Sequence, residues 1–413
     1  MNGKFGLLGE KLSHSFSPII HAEFGDYEYH IYEKKLDELE TFLKFEDFQG
    51  LNVTTPYKKA VIKYCSELSE TARAVGNVNT IIRLSNGSLY GDNTDHFGFV
   101  YLLRNSGIDP AEGKTVILGN GGSSLTVQSA ISGLGSKDVV FVSRNGVHNY
   151  NNLQNHDDAT ILINTTPVGM YPNNGLSPLA SLAFFPKCRA VIDLIYNPSR
   201  TELLLQAEEQ GIENTNGLIM LVAQAKKSAE IFMGMPIPNE KIEFITSKIA
   251  KMTQNIVLIG MPGCGKTSIG SALAKRLGRR FADTDDCVEQ VAGKSIQAIF
   301  IQDGENTFRS LEKDALKTLC KEHSLVIATG GGIVTQPENY RIIRQNSVVV
   351  FLDRSVTQLP KSGRPLTERD GINALAAVRM PLYEKWSDFA ISVRGIQETV
   401  RNIQKQLFGG ELP

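Results

Sequence analysis

Short apolar runs closed by glycine, proline or asparagine recur along this chain. Most are followed by stretches whose apolar residues fall three or four apart. That alternation predicts strands and amphipathic helices in turn. The opening run Phe5-Gly-Leu-Leu-Gly9 predicts a strand, and Ile19, Ile20 and Phe24 predict a helix beginning at Pro18. An alternating strand over 27–32, a polar helix to residue 44 and a short strand ending at Thr54 follow. The texture then tightens. Thr115-Val-Ile-Leu reads as a buried strand entering a glycine turn, with a helix over 125–134 and strands over 138–143, 160–164 and 190–195. Strand–helix alternation to about residue 220 predicts a parallel sheet with its ligand edge at the strand ends. A helix opens at Gly217, Pro236 and Pro238 break the pattern, and a polar helix runs over 241–252. Beyond it, Ile256-Val-Leu-Ile259 predicts a strand, and Ile269, Leu273 and Leu277 share one helical face. Further buried strands are predicted at 325–329 and 348–352. The fold class is α/β throughout.

Composition narrows this picture without redirecting it. A length of 413 residues favours two or three domains, and 41% apolar with 21% charged residues describes ordinary globular chain. A net charge of −1 argues against nucleic acid or an anionic membrane as bulk partner, so an anionic ligand must be held by local arginines and lysines. Five scattered cysteines without Cys-x-x-Cys predict neither a disulfide framework nor a zinc site. No apolar run approaches 18 residues and no signal-peptide core opens the chain, so a cytoplasmic location is expected. Oligomeric state is left open.

The densest chemistry lies past the middle. The pattern Gly260-x-x-Gly263-Cys264-Gly265-Lys266-Thr267 sits between a predicted strand and helix, the order of a phosphate loop. Its backbone N–H groups suit phosphate oxygens, Lys266 reaches the β- and γ-phosphates, and the Thr267 hydroxyl suits Mg²⁺. The plainer alternative is a glycine-rich turn with a solvated lysine. Asp283 and Asp285 alternate at the end of a predicted strand, which would place both on one side, one toward Mg²⁺ and one toward an acceptor hydroxyl. Arg309 and Glu312, three apart on a predicted helix, read as an ion pair in the absence of context. Gly330-Gly331-Gly332 ends a strand and would expose N–H groups to an anion. Arg364 lies in a polar loop suited to closing over phosphates, and Arg379 lies on a helix.

The first half is quieter. Ser15 and Ser17 before Pro18 read as helix caps or as receivers of a small acid. Lys58 and Asp95, taken singly, are surface charges among loop residues. Gly119-Asn-Gly121-Gly122 lies in a βαβ unit of dinucleotide-binding size. At the end of its second strand stands Ser143-Arg144-Asn145, where an NAD site would put an acidic residue. A guanidinium there pairs with a 2′-phosphate and favours NADP, the alternative being an exposed loop arginine.

Taken together, residues 1–245 resemble shikimate dehydrogenase. His-Ser-Phe-Ser-Pro at 14–18, Asn-Val-Thr-x-Pro-Tyr-Lys at 52–58 and Gly-Asp-Asn-Thr-Asp at 91–95 occur in that family's order. The resemblance implies that Ser15 and Ser17 hold a substrate carboxylate and that Lys58 and Asp95 are the catalytic pair. Thr54, Asn79, Tyr196 and Gln224 would line the pocket. Gly119, Gly121, Gly122, Ser143, Arg144 and Asn145 would hold NADP, with Met220 near the nicotinamide.

Residues 254–405 resemble shikimate kinase. The phosphate loop, Asp-Thr-Asp, Gly-Glu-x-x-Phe-Arg, Gly-Gly-Gly, Arg-Pro-Leu and Arg-x-Pro-Leu-Tyr all appear. The resemblance implies that Asp285 orients the acceptor hydroxyl and that Asp283 supports Mg²⁺ through water. Arg309, Gly331 and Arg379 would grip the shikimate carboxylate, and Arg364 would lie against the transferring phosphate.

The expectation is a substrate-binding α/β domain at 1–100, completed by a helix over 218–245, then a Rossmann-type NADP domain at 101–217. A P-loop kinase domain with a parallel sheet follows at 254–413. Such a chain would reduce 3-dehydroshikimate with NADP(H) and phosphorylate shikimate with ATP and Mg²⁺, with small molecules rather than nucleic acid or membrane as partners. Two rivals stand beside it: a quinate/shikimate dehydrogenase preferring NAD, and a regulatory protein built on degenerate copies of both enzymes. The second predicts eroded catalytic positions, yet Lys58, Asp95, Lys266, Asp283, Asp285 and Arg309 are all present.

Overall fold

The computed structural model describes residues 4–12, 15–360 and 371–409. Its strands form three sheets. The first holds β1 (Lys4–Gly9), β2 (Glu28–Glu33), β3 (Gly50–Val53), β4 (Glu67–Leu68), β5 (Thr80–Arg83) and β6 (Leu89–Asp92), in the order β2-β1-β3-β5-β6-β4. It is mixed: β1 pairs parallel with β2 and β3, whereas β5 runs antiparallel to both β3 and β6. β3 is central and buried at every position, polar Asn52 included, while edge strand β2 keeps its charged and aromatic residues partly exposed.

The second sheet is all parallel: β7 (Lys114–Leu118), β8 (Asp138–Val142), β9 (Ile161–Asn164), β10 (Ala190–Asp193) and β11 (Glu213–Asn216), in the order β11-β10-β9-β7-β8. The order reverses between β7 and β9, the topological switch point at which such sheets receive ligands beyond their carboxyl ends. The glycine turn after β7 lies at that crevice.

The third sheet, also parallel, runs β13-β14-β12-β15-β16, from β12 (Asn255–Ile259), β13 (Arg280–Asp283), β14 (Leu325–Ala328), β15 (Ser347–Asp353) and β16 (Phe389–Ser392). β12 sits at the centre and all five of its residues are buried. Val257, Leu258, Val326, Ile327 and Val350 are fully enclosed. Each such side chain contributes roughly 1.5–3 kcal/mol relative to exposure.

By contact the chain divides into two compact units. One comprises Met1–Val168, Ser177–Tyr196 and Gln206–Ile249, and so holds the first two sheets. The other comprises Gly169–Leu176, Asn197–Leu205 and Ala250–Pro413 and holds the third. In the first unit, helices Thr94–Ser106 and Leu218–Met233 pack closely. A Cβ on Gly98 would lie 2.6 Å from the Met220 carbonyl, so only glycine permits that approach. The single helix expected over 218–245 is two. Gly234 takes the left-handed conformation (φ 66°) and closes Leu218–Met233, and Pro236 and Pro238 keep the chain non-helical until Glu240–Thr253 begins.

Candidate active sites

In the first unit the two charged residues that spacing left as surface charges are brought together. Lys58 Nζ donates to Asp95 Oδ2 at 2.6 Å, both side chains mostly buried. Lys58 follows β3, and Asp95 lies in the first turn of Thr94–Ser106, whose N-cap Asn93 accepts from His96 N. Beside this pair, Asn79 is within 3.5 Å of Gln224 Oε1, and its Oδ1 accepts from Thr94 N at 2.7 Å. Asn79 and Gln224, expected in one pocket, do meet.

Ser15 and Ser17 also meet. Ser15 Oγ donates to Ser17 Oγ at 3.1 Å and accepts from Ser17 N at 3.2 Å. The capping role is only partly seen, because the N-cap of Ser17–Ala22 is Phe16 and no side chain caps there. Tyr196 is brought to this segment, its ring centroid 5.6 Å from that of Phe16. Thr54 follows β3, its N–H donating to Leu8 O at 2.9 Å. His14, part of the same motif, lies outside the described residues.

At the switch point, Gly119 holds φ 109°, which a β-carbon would strain. Gly121 is the N-cap of Gly122–Gly133 and makes no side-chain cap. A Cβ on Gly121 would meet nothing within 4 Å, so the helix start opens onto free space, and its N–H groups suit a pyrophosphate. Asn77 donates to Gly122 O at 3.2 Å, tying the first sheet's loop to this turn. Ser143 is buried past β8 with its N–H on His148 O, whereas Arg144 and Asn145 are exposed. An exposed guanidinium at a strand end fits a 2′-phosphate. Met220 is buried beneath Gly98.

Sequence reasoning missed the buried polar set behind these residues: Asn52, Thr80, Thr94 and Ser228, none more than 5% exposed. Gln224 and Ser228 are four apart on one helix, a spacing that places both on one face, and that signal was legible.

The second unit presents a cavity of about 770 Å³ lined by the phosphate loop, Asp283, Asp285, Arg309, Glu312, Gly330–Gly332 and Arg379. Gly260 and Gly265 take φ 147° and 108°, letting the loop wrap back on itself. Lys266 Nζ lies inside the loop, donating to Gly260 O at 2.8 Å and Met261 O at 3.1 Å. Gly263 and Cys264 complete the turn, with Cys264 N donating to Met261 O.

Asp283 and Asp285 are adjacent for a different reason from the one expected. Asp283 ends β13 and caps the next helix, Thr284–Ala292, with its Oδ1 accepting from Asp285 N at 3.0 Å. Asp285 is thus in a first helical turn, not at an alternate strand position. Its Oδ1 is buried with no hydrogen-bond partner among the described residues. Burial first, and then the charges of Asp283 and Glu312, push its carboxyl up to about 7 against the opposing pull of Lys266. Thr267 Oγ1 donates to Asp283 Oδ2 at 2.8 Å. A hydroxyl and a carboxylate side by side at the loop mouth are hard oxygen donors that fit Mg²⁺, which keeps waters and binds phosphates as well.

Arg309 and Glu312 do form the ion pair, 2.7 Å apart and both buried, with Glu305 at 3.4 Å from the same guanidinium. Burial raises the Glu312 carboxyl despite Arg309. Burial likewise lowers the pKa of Arg379, a cation held out of water. Within the triple glycine, Gly330 alone departs from expectation. Gly330 N–H donates to Thr284 Oγ1 at 3.0 Å, so it is not offered to an anion. What the glycines permit is close approach, since a Cβ on Gly330 would collide with Glu312 Oε1. Tyr383 hydrogen-bonds Gly331 O. Arg364 lies outside the described residues.

Comparison with known proteins identifies the families of both halves. The shikimate dehydrogenase substrate binding domain matches residues 7–81, and shikimate kinase matches residues 262–408. A shikimate dehydrogenase (NADP(+)) of Clostridium perfringens is 34% identical over 59% of this chain and 97% of its own length. Shikimate dehydrogenase 1 of Peptoclostridium difficile is 36% identical, covering 60% of this chain and 98% of that one, with TM-score 0.56. The Thermus thermophilus shikimate 5-dehydrogenase, solved with NADP(H) and shikimate, is 30% identical over 60% of this chain and 99% of that one, with TM-score 0.54. The chain therefore belongs, in its N-terminal part, to the shikimate dehydrogenase family and carries a shikimate kinase domain after it.

Proposed function

We propose that this bifunctional enzyme reduces 3-dehydroshikimate to shikimate with NADPH and phosphorylates the shikimate 3-hydroxyl with ATP. The observation that carries the reading is the Lys58–Asp95 contact at 2.6 Å, on the same chain as a phosphate loop that shares its cavity with Asp285. In the first reaction Ser15 and Ser17 hold the ring carboxylate, and Thr54, Asn79, Tyr196 and Gln224 line the pocket and orient the ring. Gly119, Gly121, Gly122, Ser143, Arg144 and Asn145 would hold NADPH, with Met220 near its nicotinamide, and the cofactor would supply the hydride. Lys58 gives a proton to the ketone oxygen as charge builds there, and Asp95 holds the ammonium in place.

In the second reaction Arg309, Arg379 and Gly331 grip the same carboxylate, and Asp285 accepts the hydroxyl proton as the oxygen attacks the γ-phosphorus. Lys266 and the loop backbone hold the phosphates, with ADP leaving. Thr267 and, through water, Asp283 would hold Mg²⁺, which would supply positive charge at those phosphates. Arg364, outside the described residues, is the residue proposed to act on the transferring phosphate. The enzyme works in the cytoplasm, and among the described residues no helix is long and apolar enough to cross a membrane.

The test is incubation with 3-dehydroshikimate, NADPH and ATP·Mg²⁺, following pyridine absorbance and ADP together. Lys58→Ala abolishes the first signal, and Lys266→Ala abolishes only the second when shikimate is supplied. A wild-type chain that neither consumes NADPH nor releases ADP sinks the reading.

A further inference from the structure

Behind the dehydrogenase site lies a run of buried polar side chains that touches no charged group of the reaction. Its centre is the Ser228 hydroxyl on helix Leu218–Met233, fully enclosed. Four groups meet it: Asn52 Nδ2 at 2.7 Å, Thr80 Oγ1 at 2.9 Å, Thr94 Oγ1 at 2.9 Å and the Gln224 backbone carbonyl at 3.0 Å. These come from β3, β5, the start of the Asp95 helix and the Gln224 turn, so one hydroxyl joins four of the segments that build the pocket.

Counting protons orders the set. A serine hydroxyl has one proton to give and two lone pairs to receive with. The Gln224 carbonyl only accepts, so it takes the Ser228 proton. Ser228 must then accept from Asn52 and from a threonine. Asn52 is oriented from its other side, because its Oδ1 accepts from Tyr29 OH at 2.8 Å. Thr80 has Asn79 Oδ1 within reach at 3.2 Å, and the Thr94 N–H already donates to that same oxygen at 2.7 Å. The acceptor end of Asn79 is therefore consumed inside the protein. Its Nδ2 has Thr94 Oγ1 at 3.0 Å and only a long approach to Gln224 Oε1 at 3.5 Å, which leaves N–H capacity for a ligand.

We propose that Ser228 is a positioning residue of the dehydrogenase site, whose hydroxyl fixes the amide of Asn79 so that it presents a donor to a ring oxygen of the substrate. This rests on the dehydrogenase reading above and adds which way one pocket amide faces. A polar group buried without its partner reorients or recruits another, so loss of the hub loosens Asn79 and the Gln224 turn together. The effect falls first on the ring-binding side, because Met220 is about two turns from Ser228 on the same helix while Arg144 and the glycine turn lie on other elements.

Steady-state kinetics of shikimate oxidation on the full chain tests this, with NADP⁺ and shikimate varied separately. For Ser228→Ala the KM for shikimate rises about tenfold, the scale of one neutral hydrogen bond lost from a bound state, while the KM for NADP⁺ and the kinase rate stay at wild-type values. Thr80→Val removes a neighbouring hydroxyl while Ser228 remains, is read the same way, and decides the matter if Ser228→Ala does not fold. Ser228→Thr, which keeps a hydroxyl, recovers the shikimate KM more fully than Ser228→Cys. Unchanged KM for shikimate in a folded variant overturns the proposal, as does a parallel rise in both KM values together with a lowered melting temperature. A wild-type chain with no shikimate oxidation overturns the underlying reading, and this inference goes with it.

Discussion

Gly332 and Arg309 are so close that a β-carbon on the glycine would overlap the guanidinium. The glycine is thus part of how the arginine is held, through space it leaves empty. Gly332→Ala must displace Arg309 from its place against Glu312. A misplacement of about 1 Å at a positioning group costs on the order of 10²-fold. The expected outcome is a drop of that size in kinase kcat/KM for shikimate, with shikimate oxidation unchanged. A kinase that tolerates the alanine removes Arg309 from substrate binding.

Asp285 ties the kinase to pH. Its carboxyl is raised to about 7 by burial and by neighbouring carboxylates. In the proposed role it must be ionised to receive the hydroxyl proton, so kinase kcat rises with pH through about 7. The same shift bears on stability. A folded-state value above the ordinary carboxylate value means ionisation disfavours the folded state, so stability is lost as pH rises from about 4 to about 7. Asp285→Asn removes that loss. Its melting temperature exceeds wild type at about pH 8, by an amount on the order of a few kcal/mol in stability, and the difference vanishes near about pH 4. Thermal scans at the two pH values check it, and a gain that persists in acid contradicts this cause.

Lys58 and Asp95 act as a unit, so their losses do not add. Lys58→Ala and Asp95→Asn each lower the dehydrogenase kcat by about 10²–10⁴-fold, and the double variant falls little further. Additive losses in stopped-flow turnover at saturating substrate would falsify the pairing as the working element.

Arg144 sets the choice of cofactor if its guanidinium meets a 2′-phosphate. A hydrogen-bonded charge contributes about 1.5–3 kcal/mol, so Arg144→Ala raises the KM for NADPH by about 10–100-fold and leaves the KM for NADH unchanged. Equal changes for both cofactors place the arginine away from the 2′-position.

The parts of this protein that were legible in its sequence are those whose physics is local. The phosphate loop showed itself because glycine, lysine and threonine act on one ligand from one turn. Strands β7 and β12 showed themselves because buried parallel strands are continuous apolar runs. Lys58 and Asp95 did not show themselves by spacing, since 37 positions separate two residues that meet only when β3 and the Asp95 helix are placed. Their roles came from resemblance. The Asp283–Asp285 pair was anticipated for the wrong reason, because a helix cap and a strand end can share the same short sequence. Ser228 shares a helix face with Gln224, a legible spacing, but its role shows only once its four neighbours are placed.

Lys266 has one more consequence. With its ammonium resting on the Gly260 and Met261 carbonyls, the loop is already curled around a positive charge. An arriving nucleotide exchanges two neutral oxygens for anionic ones and has no need to recruit the lysine from solvent. The lysine keeps the seat it will later share, so the nest is shaped before its guest appears.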